Sequence, residues 1–151
     1  MSFNCVKKVE NDYDKYVLVS TAGKIVLPDY LDKKSKDLAK AVIEKNEFTA
    51  KASEKLAMTL VNNKKPIDFI IVGLGNKAKL DSKNIRQYLF DTLKNETGKV
   101  LLSFADEELD NMDIVAEVVE HINYKFDKYI SKKKDKFLEV SYLTDKKVPK
   151  L

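Results

Sequence analysis

Ile67-Asp68-Phe69-Ile70-Ile71-Val72-Gly73-Leu74-Gly75 is the most apolar segment of this 151-residue chain. Apart from Asp68, the run up to Val72 has no polar residue on either side of the two-residue strand repeat. Strands covered on both faces read this way, so Ile67 to Val72 is expected to be a central strand. Gly73-Leu74-Gly75 closes it. Asp81 or Ser82 then caps a helix to about Lys94, with Ile85, Leu89 and Leu93 turned inward. Gly98 is the expected stop of that helix.

Downstream the alternation continues. Val100 to Phe104 reads as a strand. Asp110 to Phe126 reads as a long helix burying Val115, Val118, Val119 and Ile122, and Phe137 to Leu143 as a last strand. Upstream, Phe3 to Val9 and Tyr16 to Ser20 read as short strands, with Asn11 and Asp12 marking a turn between them. Thr21 to Lys24 is a second turn, and Ile25 to Leu27 extend a strand that Pro28 ends. A helix over about Leu31 to Lys45 places Leu38, Ala39, Val42 and Ile43 on one face and lysines on the other. Glu54 to Val61 reads as a strand with Leu56, Met58 and Leu60 on one side, followed by a turn from Asn62 to Pro66. Strand–helix alternation needs crossover connections, which put helices on both faces of a sheet. The first two strands look like a hairpin, so the sheet is expected to be mixed. The fold class is a three-layer α/β/α single domain over residues 1–151.

Bulk properties narrow the function. A hydrophobic fraction of 44% excludes a disordered tail as the main reading. One cysteine, Cys5, excludes an internal disulfide. Residues 1–15 are charged at Lys7, Lys8, Glu10, Asp12, Asp14 and Lys15, so no apolar signal core is present there. The longest fully apolar run of that central segment, Phe69 to Val72, is far short of the ~20 residues a membrane helix needs. The expectation is a cytoplasmic, non-membrane protein. Net charge is +4, from 28 basic and 24 acidic residues that are well interspersed. That balance keeps a surface soluble and lacks the clustered excess of a dedicated nucleic-acid binder.

Five features invite a chemical reading. Gly73-Leu74-Gly75-Asn76-Lys77-Ala78 follows a strand, precedes a helix and fits G-x-G-x-x-G/A. In a dinucleotide site the second glycine lets the backbone meet a pyrophosphate resting on the helix N-terminus. Here the helix starts well after that glycine, which favours a plain tight turn. His121, the only histidine, lies on a helix beside Glu117 and Glu120 with no cysteine near it, and reads as a surface residue. Cys5 has no base or elbow motif to activate it and reads as a small hydrophobe. Asp106, Glu107, Glu108, Asp110 and Asp113 cluster at a helix start, where acids favour the positive dipole end. Lys132-Lys133-Lys134, with Lys125, Lys128 and Lys136 near Tyr124, Phe126 and Tyr129, could meet phosphates and stacked bases, but solvated lysines are the commoner case. No catalytic, cofactor-binding or metal-binding set emerges from the residues alone.

A resemblance adds what the residues do not. Tyr124-Lys125-Phe126-Asp127-Lys128-Tyr129-Ile130-Ser131-Lys132-Lys133 resembles the Tyr-x-Phe-Asp-x-Tyr-x-Ser-Lys-Lys pattern of leucyl aminopeptidases. In that family the pattern ends a helix before the last strand of the N-terminal domain. Asn46 to Ala52 resembles the family's Asp-Phe-x-Gly-Lys-x-Gly segment, and Ile70 to Gly75 its strand ending in Val-Gly-Leu-Gly. Ala50 and Ala52 stand where the family often has glycines. The resemblance covers roughly Asn46 to Leu143. It implies an α/β/α domain similar to macro domains. For the full-length protein it implies a two-metal exopeptidase, binding zinc or manganese, that releases N-terminal residues such as leucine from peptides. The paired metals would activate a water and stabilise the developing oxyanion. Family metal ligands and catalytic residues belong to the C-terminal catalytic domain, so none maps onto this chain. The implied partners are that domain and the other subunits of a hexamer, with the N-terminal domain shaping access to its interior. Two alternatives remain at this stage: a macro-like module for ADP-ribose or a related nucleotide, by fold analogy only, and a DNA-binding domain using the lysine run.

Overall fold

The computed structural model describes residues 3–6, 13–23, 25–94, 96, 98–105, 112–129 and 138–143. Six strands form one sheet: β1 (Phe3–Val6), β2 (Lys15–Ser20), β3 (Lys55–Asn62), β4 (Lys65–Gly73), β5 (Gly98–Phe104) and β6 (Leu138–Leu143). Three helices, α1 (Lys33–Lys45), α2 (Ser82–Leu93) and α3 (Met112–Tyr129), complete the three layers. The strand order is β1-β6-β5-β2-β4-β3. All neighbours are parallel except β3 and β4.

The order follows from crossover handedness. From β2 the chain moves toward one edge through α1, then returns from β4 through α2 to β5 on the other side of β2. Right-handed crossovers in opposite directions must use opposite faces. Accordingly α1 covers one face, while α2 and α3 share the other. The two-residue strand repeat splits β2 between them. Val17 and Val19 join Ile85, Leu89, Val115, Val118 and Val119 in one core, whereas Tyr16 and Leu18 join Ala39, Phe48, Leu60 and Phe69 in the other. β2 therefore buries almost every side chain, from Tyr16 to Ser20.

Several expectations need correction. β1 and β2 form no hairpin: β1 runs parallel to β6 at the far edge, while β2 lies between β4 and β5. The sheet is mixed because of β3 instead. β4 is internal but next to the edge strand, and β2 and β5 occupy the centre. Ile25 to Leu27 lie in a loop, where Leu27 packs into the α1-side core. Leu38 is 46% exposed, and Ser35 takes the buried helix position in its place. Gly98 does not end α2, whose last residue is Leu93 with Lys94 as its C-cap. Its φ of +89° opens β5, where a Cβ would lie 2.5 Å from Asp14 Oδ2.

Local chemistry sets the helix starts. Asp81 accepts a hydrogen bond from Asn84 N at 2.7 Å and caps α2. Asp32 caps α1 through Ser35 N at 2.7 Å and also accepts from Asn63 N at 2.8 Å. Asn62 returns the contact, its Oδ1 accepting from Asp32 N at 2.7 Å. Ser35 Oγ donates to Val61 O at 2.9 Å. The start of α1 is thus tied to the tip of the β3–β4 hairpin. That tip is a two-residue turn with positive φ at Asn63 (50°) and Lys64 (68°), the handedness that matches strand twist.

The stretch from Glu47 to Ser53 carries three positive φ angles on non-glycine residues, at Glu47 (51°), Ala50 (58°) and Ser53 (61°). Ala50 therefore occupies a conformation that favours glycine. Ala52 does not; Glu47 and Ser53 are the other two such positions. A Cβ at Gly73 would lie 2.7 Å from Ala50 O and closer still to Lys51 O. Gly73→Ala is expected to destabilise the domain by roughly 3 kcal/mol or more, because backbone must move. Ala50→Gly is expected to be neutral to stabilising by about 1 kcal/mol through relief of the left-handed backbone. Urea unfolding of both variants beside the parent checks the opposite signs.

The two backbone hydrogen bonds from Asn63 and Ser35 hold the Asp32 carboxyl below the usual carboxylate range. A folded pKa below the unfolded one means stability that is present above the ordinary carboxylate value and lost as pH falls through the lower one. Asp32→Ala should lower the urea midpoint at pH 7, and its difference from the parent should shrink as the pH drops below that range. A constant difference down to the acid limit would show that the carboxylate contributes only shape.

Candidate functional site

In open α/β sheets ligands bind beyond the C-terminal ends of the parallel strands, where strand order reverses. Here the connections diverge between β2, which leads toward β4 and β3, and β5, which leads to β6, while Gly73-Leu74-Gly75 closes β4, the next strand end. A phosphate site there would need free backbone N–H groups. The structure uses them internally. Gly73 N donates to Glu54 O at 2.7 Å, Leu74 N to Ser20 O at 2.9 Å and Gly75 N to Ala50 O at 3.0 Å. Ala78 N donates to Asn76 Oδ1 at 3.0 Å. Leu74 is 1% exposed and fills the space between the strand ends. The N-terminus of α2 already holds the Asp81 carboxylate. The Gly-x-Gly segment is thus a structural closure whose glycines allow a close approach to residues 50–52.

The other sequence candidates do not converge. His121 is exposed on α3, and its ring packs on Phe90 of α2 with centroids 5.2 Å apart. Glu117 pairs with Arg86 at 2.7 Å across α2 and α3, both largely solvated, a contact worth about 0–1 kcal/mol. Cys5 is half-buried in β1 against the α2/α3-side core. Asp113 is exposed at the start of α3, while Asp106, Glu107, Glu108 and Asp110 lie outside the described residues. Lys132, Lys133, Lys134 and Lys136 also lie outside them, as do the side chains of Tyr124, Lys125, Phe126, Lys128 and Tyr129. Among the described residues no three His, Cys, Asp or Glu side chains come together in a way that could hold a metal ion. The described part of this chain does not fit the metal pair implied by the resemblance.

Sequence reasoning missed two polar features. Tyr30 stacks near Tyr16, ring centroids 5.6 Å apart, and Tyr16 meets Tyr13 edge-on. Burial, and then the Tyr16 phenol, push the Tyr30 hydroxyl far above its ordinary pKa, with the Ser103 hydroxyl pulling the other way. It stays protonated, and the Tyr30 ring packs against the α1-side core. The second feature is Glu96, in a polar turn that reads as exposed from sequence. Its side chain is 9% exposed, and Lys15 Nζ reaches its Oε1 at 2.7 Å. Lys55 Nζ lies 3.6 Å from the other oxygen and donates to Thr92 O at 3.2 Å. These groups line an open cleft of about 370 Å³ with Ala57, Thr59 and Asp68. The lysines come from β2 and β3, so the carboxylate ties both strands to the end of α2. No histidine or cysteine lines the cleft, and both lysines are engaged with Glu96, which supports a structural role.

The comparisons now weigh in. A profile described as "Cytosol aminopeptidase family, N-terminal domain" matches residues 13–133. The chain belongs to that family. A probable cytosol aminopeptidase from Fusobacterium nucleatum is 74% identical over 151 residues, all of this chain and 32% of that protein. A second, from Haemophilus influenzae, is 27% identical over 112 residues, 68% of this chain and 23% of that protein. The chain thus spans at most about a third of the length of these cytosol aminopeptidases and corresponds to their N-terminal domain. Among solved structures, a tomato leucine aminopeptidase mutant superposes with a TM-score of 0.68 at 14% identity, over 99% of this chain and 33% of that one. A leucyl aminopeptidase from Leishmania major in complex with actinonin gives 0.54 at 11%, over 96% and 29%. At those identities they establish a shared fold. In this chain the Glu96 tie comes with a largely desolvated carboxylate. Glu96→Ala should cost about 1–2 kcal/mol in urea unfolding, less than a fully buried pair because both lysines are partly solvated. A change within error would show that solvent already satisfies the lysines.

Proposed function

We infer that this chain is the non-catalytic N-terminal domain of a cytoplasmic leucyl aminopeptidase, serving subunit assembly and access to an active site carried elsewhere. The observation that carries this reading is the coverage. All of the chain aligns at 74% identity with less than a third of a probable cytosol aminopeptidase. The remaining two thirds of such a protein has room for the catalytic domain, its two divalent metals (zinc or manganese) and the site where peptide substrates lose their N-terminal residue. The full-length assembly is a hexamer in this reading, and the principal partner of the present chain is its own catalytic domain.

The chemistry of the described residues agrees. The strand-end loop has no spare amide among Gly73, Leu74, Gly75 and Ala78, so the Gly-x-Gly segment supplies no phosphate cradle. The buried carboxylate at Glu96 is held between two lysines. Two core clusters, one on each side of the sheet, give the domain a rigid body suited to holding neighbours in register. In addition, no helix among the described residues is long and apolar enough to cross a membrane.

The test is direct. The 151-residue chain, incubated with leucine amide and added Mn²⁺ or Zn²⁺, should release leucine no faster than metal in buffer alone. Metal-dependent release above that background would refute the non-catalytic assignment.

A further inference from the structure

The exposed large hydrophobic residues of the described surface are Val26, Leu38 and Val61. Two of them belong to β3 and to α1, the helix that packs on β3. β3 is also the longer of the two edge strands, with eight residues against four for β1. Among the described residues its outer edge has no strand partner. Edge strands in soluble proteins are ordinarily blunted by an inward lysine, a proline, a bulge or brevity. β3 has no proline and no bulge, and its one lysine, Lys55, stands at the first position with its side chain drawn to Glu96; from Leu56 on the strand reads Leu-Ala-Met-Thr-Leu-Val-Asn, and its ladder with β4 is unbroken over all eight residues.

We propose that this edge pairs antiparallel with the β3 of a second copy of the same chain, about a twofold axis through Thr59, joining two six-stranded sheets into one. The proposal deepens the assembly role given above and rests on that reading for its setting. A twofold perpendicular to the sheet keeps each face on its own side, so only registers that match side-chain parity are allowed. Centred on Thr59, Ala57 faces Val61 on the α2 side and Met58 faces Leu60 on the α1 side. Just past the strand ends, Glu54 of each copy faces Lys64 of the other, opposite charges meeting at both ends. The neighbouring registers are worse. Centred on Leu60, Lys55 opposes Lys65, like against like. Centred on Met58, Glu54 opposes Asn62 and the ion pairs are lost. The same operation brings the two α1 helices together on one face, where Leu38 has no cover among the described residues.

Sedimentation velocity of the 151-residue chain, from about ten to several hundred micromolar, should show a concentration-dependent dimer. Thr59→Lys places two like charges at the axis and should raise the dimer Kd at least tenfold, with an unchanged circular dichroism spectrum because Thr59 is exposed. An equimolar mixture of Thr59→Lys and Thr59→Glu chains should restore the dimer. If the lysine variant does not fold, Thr59→Cys in a Cys5→Ser background gives a second reading. Oxidation should cross-link Cys at 59 to itself. Val61→Cys in the same background should not cross-link, since its Cα atoms would sit ~13 Å apart, beyond disulfide reach. A parent chain that stays monomeric over this range overturns the proposal, as does a Thr59→Lys chain that dimerises like the parent. Neither result touches the non-catalytic assignment, which the leucine amide assay decides by itself.

Discussion

The end of β4 fits against the 50–54 loop only because position 73 has no side chain. A Cβ there would overlap the carbonyls of Ala50 and Lys51. Given that close approach, Gly73 N reaches Glu54 O, Ser53 N reaches Gly73 O, and Gly75 N reaches Ala50 O. The next amide along, Leu74 N, crosses to Ser20 O, and Ala22 N returns from β2 to Gly75 O at 2.8 Å. One missing methyl group therefore lets three separate segments close on one another at the strand ends. The same closure removes the amides that other α/β sheets offer to phosphates. At the end of β4 those amides hold the domain together instead.

That constraint has a cost in backbone strain. The loop reaches β4 through three left-handed non-glycine residues, of which Ala50 is fully buried. A left-handed alanine costs on the order of 1–2 kcal/mol, which is tolerable where its amide and carbonyl environment is fixed by a ladder on one side and a core on the other. Phe48 and Ala50 sit in the α1-side cluster, so packing supplies the compensation. Among the described residues the longer open edge of the sheet is β3.

Much of the architecture was legible from residue pattern. The Ile67–Val72 run, the capping Asp81 and the inward Ile85, Leu89 and Leu93 all fall where a strand buried on both faces and an amphipathic helix require. The resemblance of three segments to leucyl aminopeptidases pointed to the family that the profile match then established. Glu96 was not legible. A glutamate in an Asn-Glu-Thr-Gly turn has the pattern of an exposed residue, and its burial depends on lysines 81 and 41 positions away. Leu38 erred in the opposite direction, because helical periodicity cannot tell which of two adjacent stripes the sheet covers.

The sequence by itself determined most of the elements and the three layers, since these depend on local periodicity and capping. The tertiary structure decided strand order and the fate of the Gly-x-Gly loop. β1 is too short to choose a neighbour by pattern, and any apolar strand satisfies the pleat of any other. Its place beside β6 comes from where the right-handed crossovers leave an open edge. Whether an amide binds a phosphate or a carbonyl is likewise invisible in a one-dimensional motif. It depends on which backbone lies within 3 Å, and here that backbone is the chain's own.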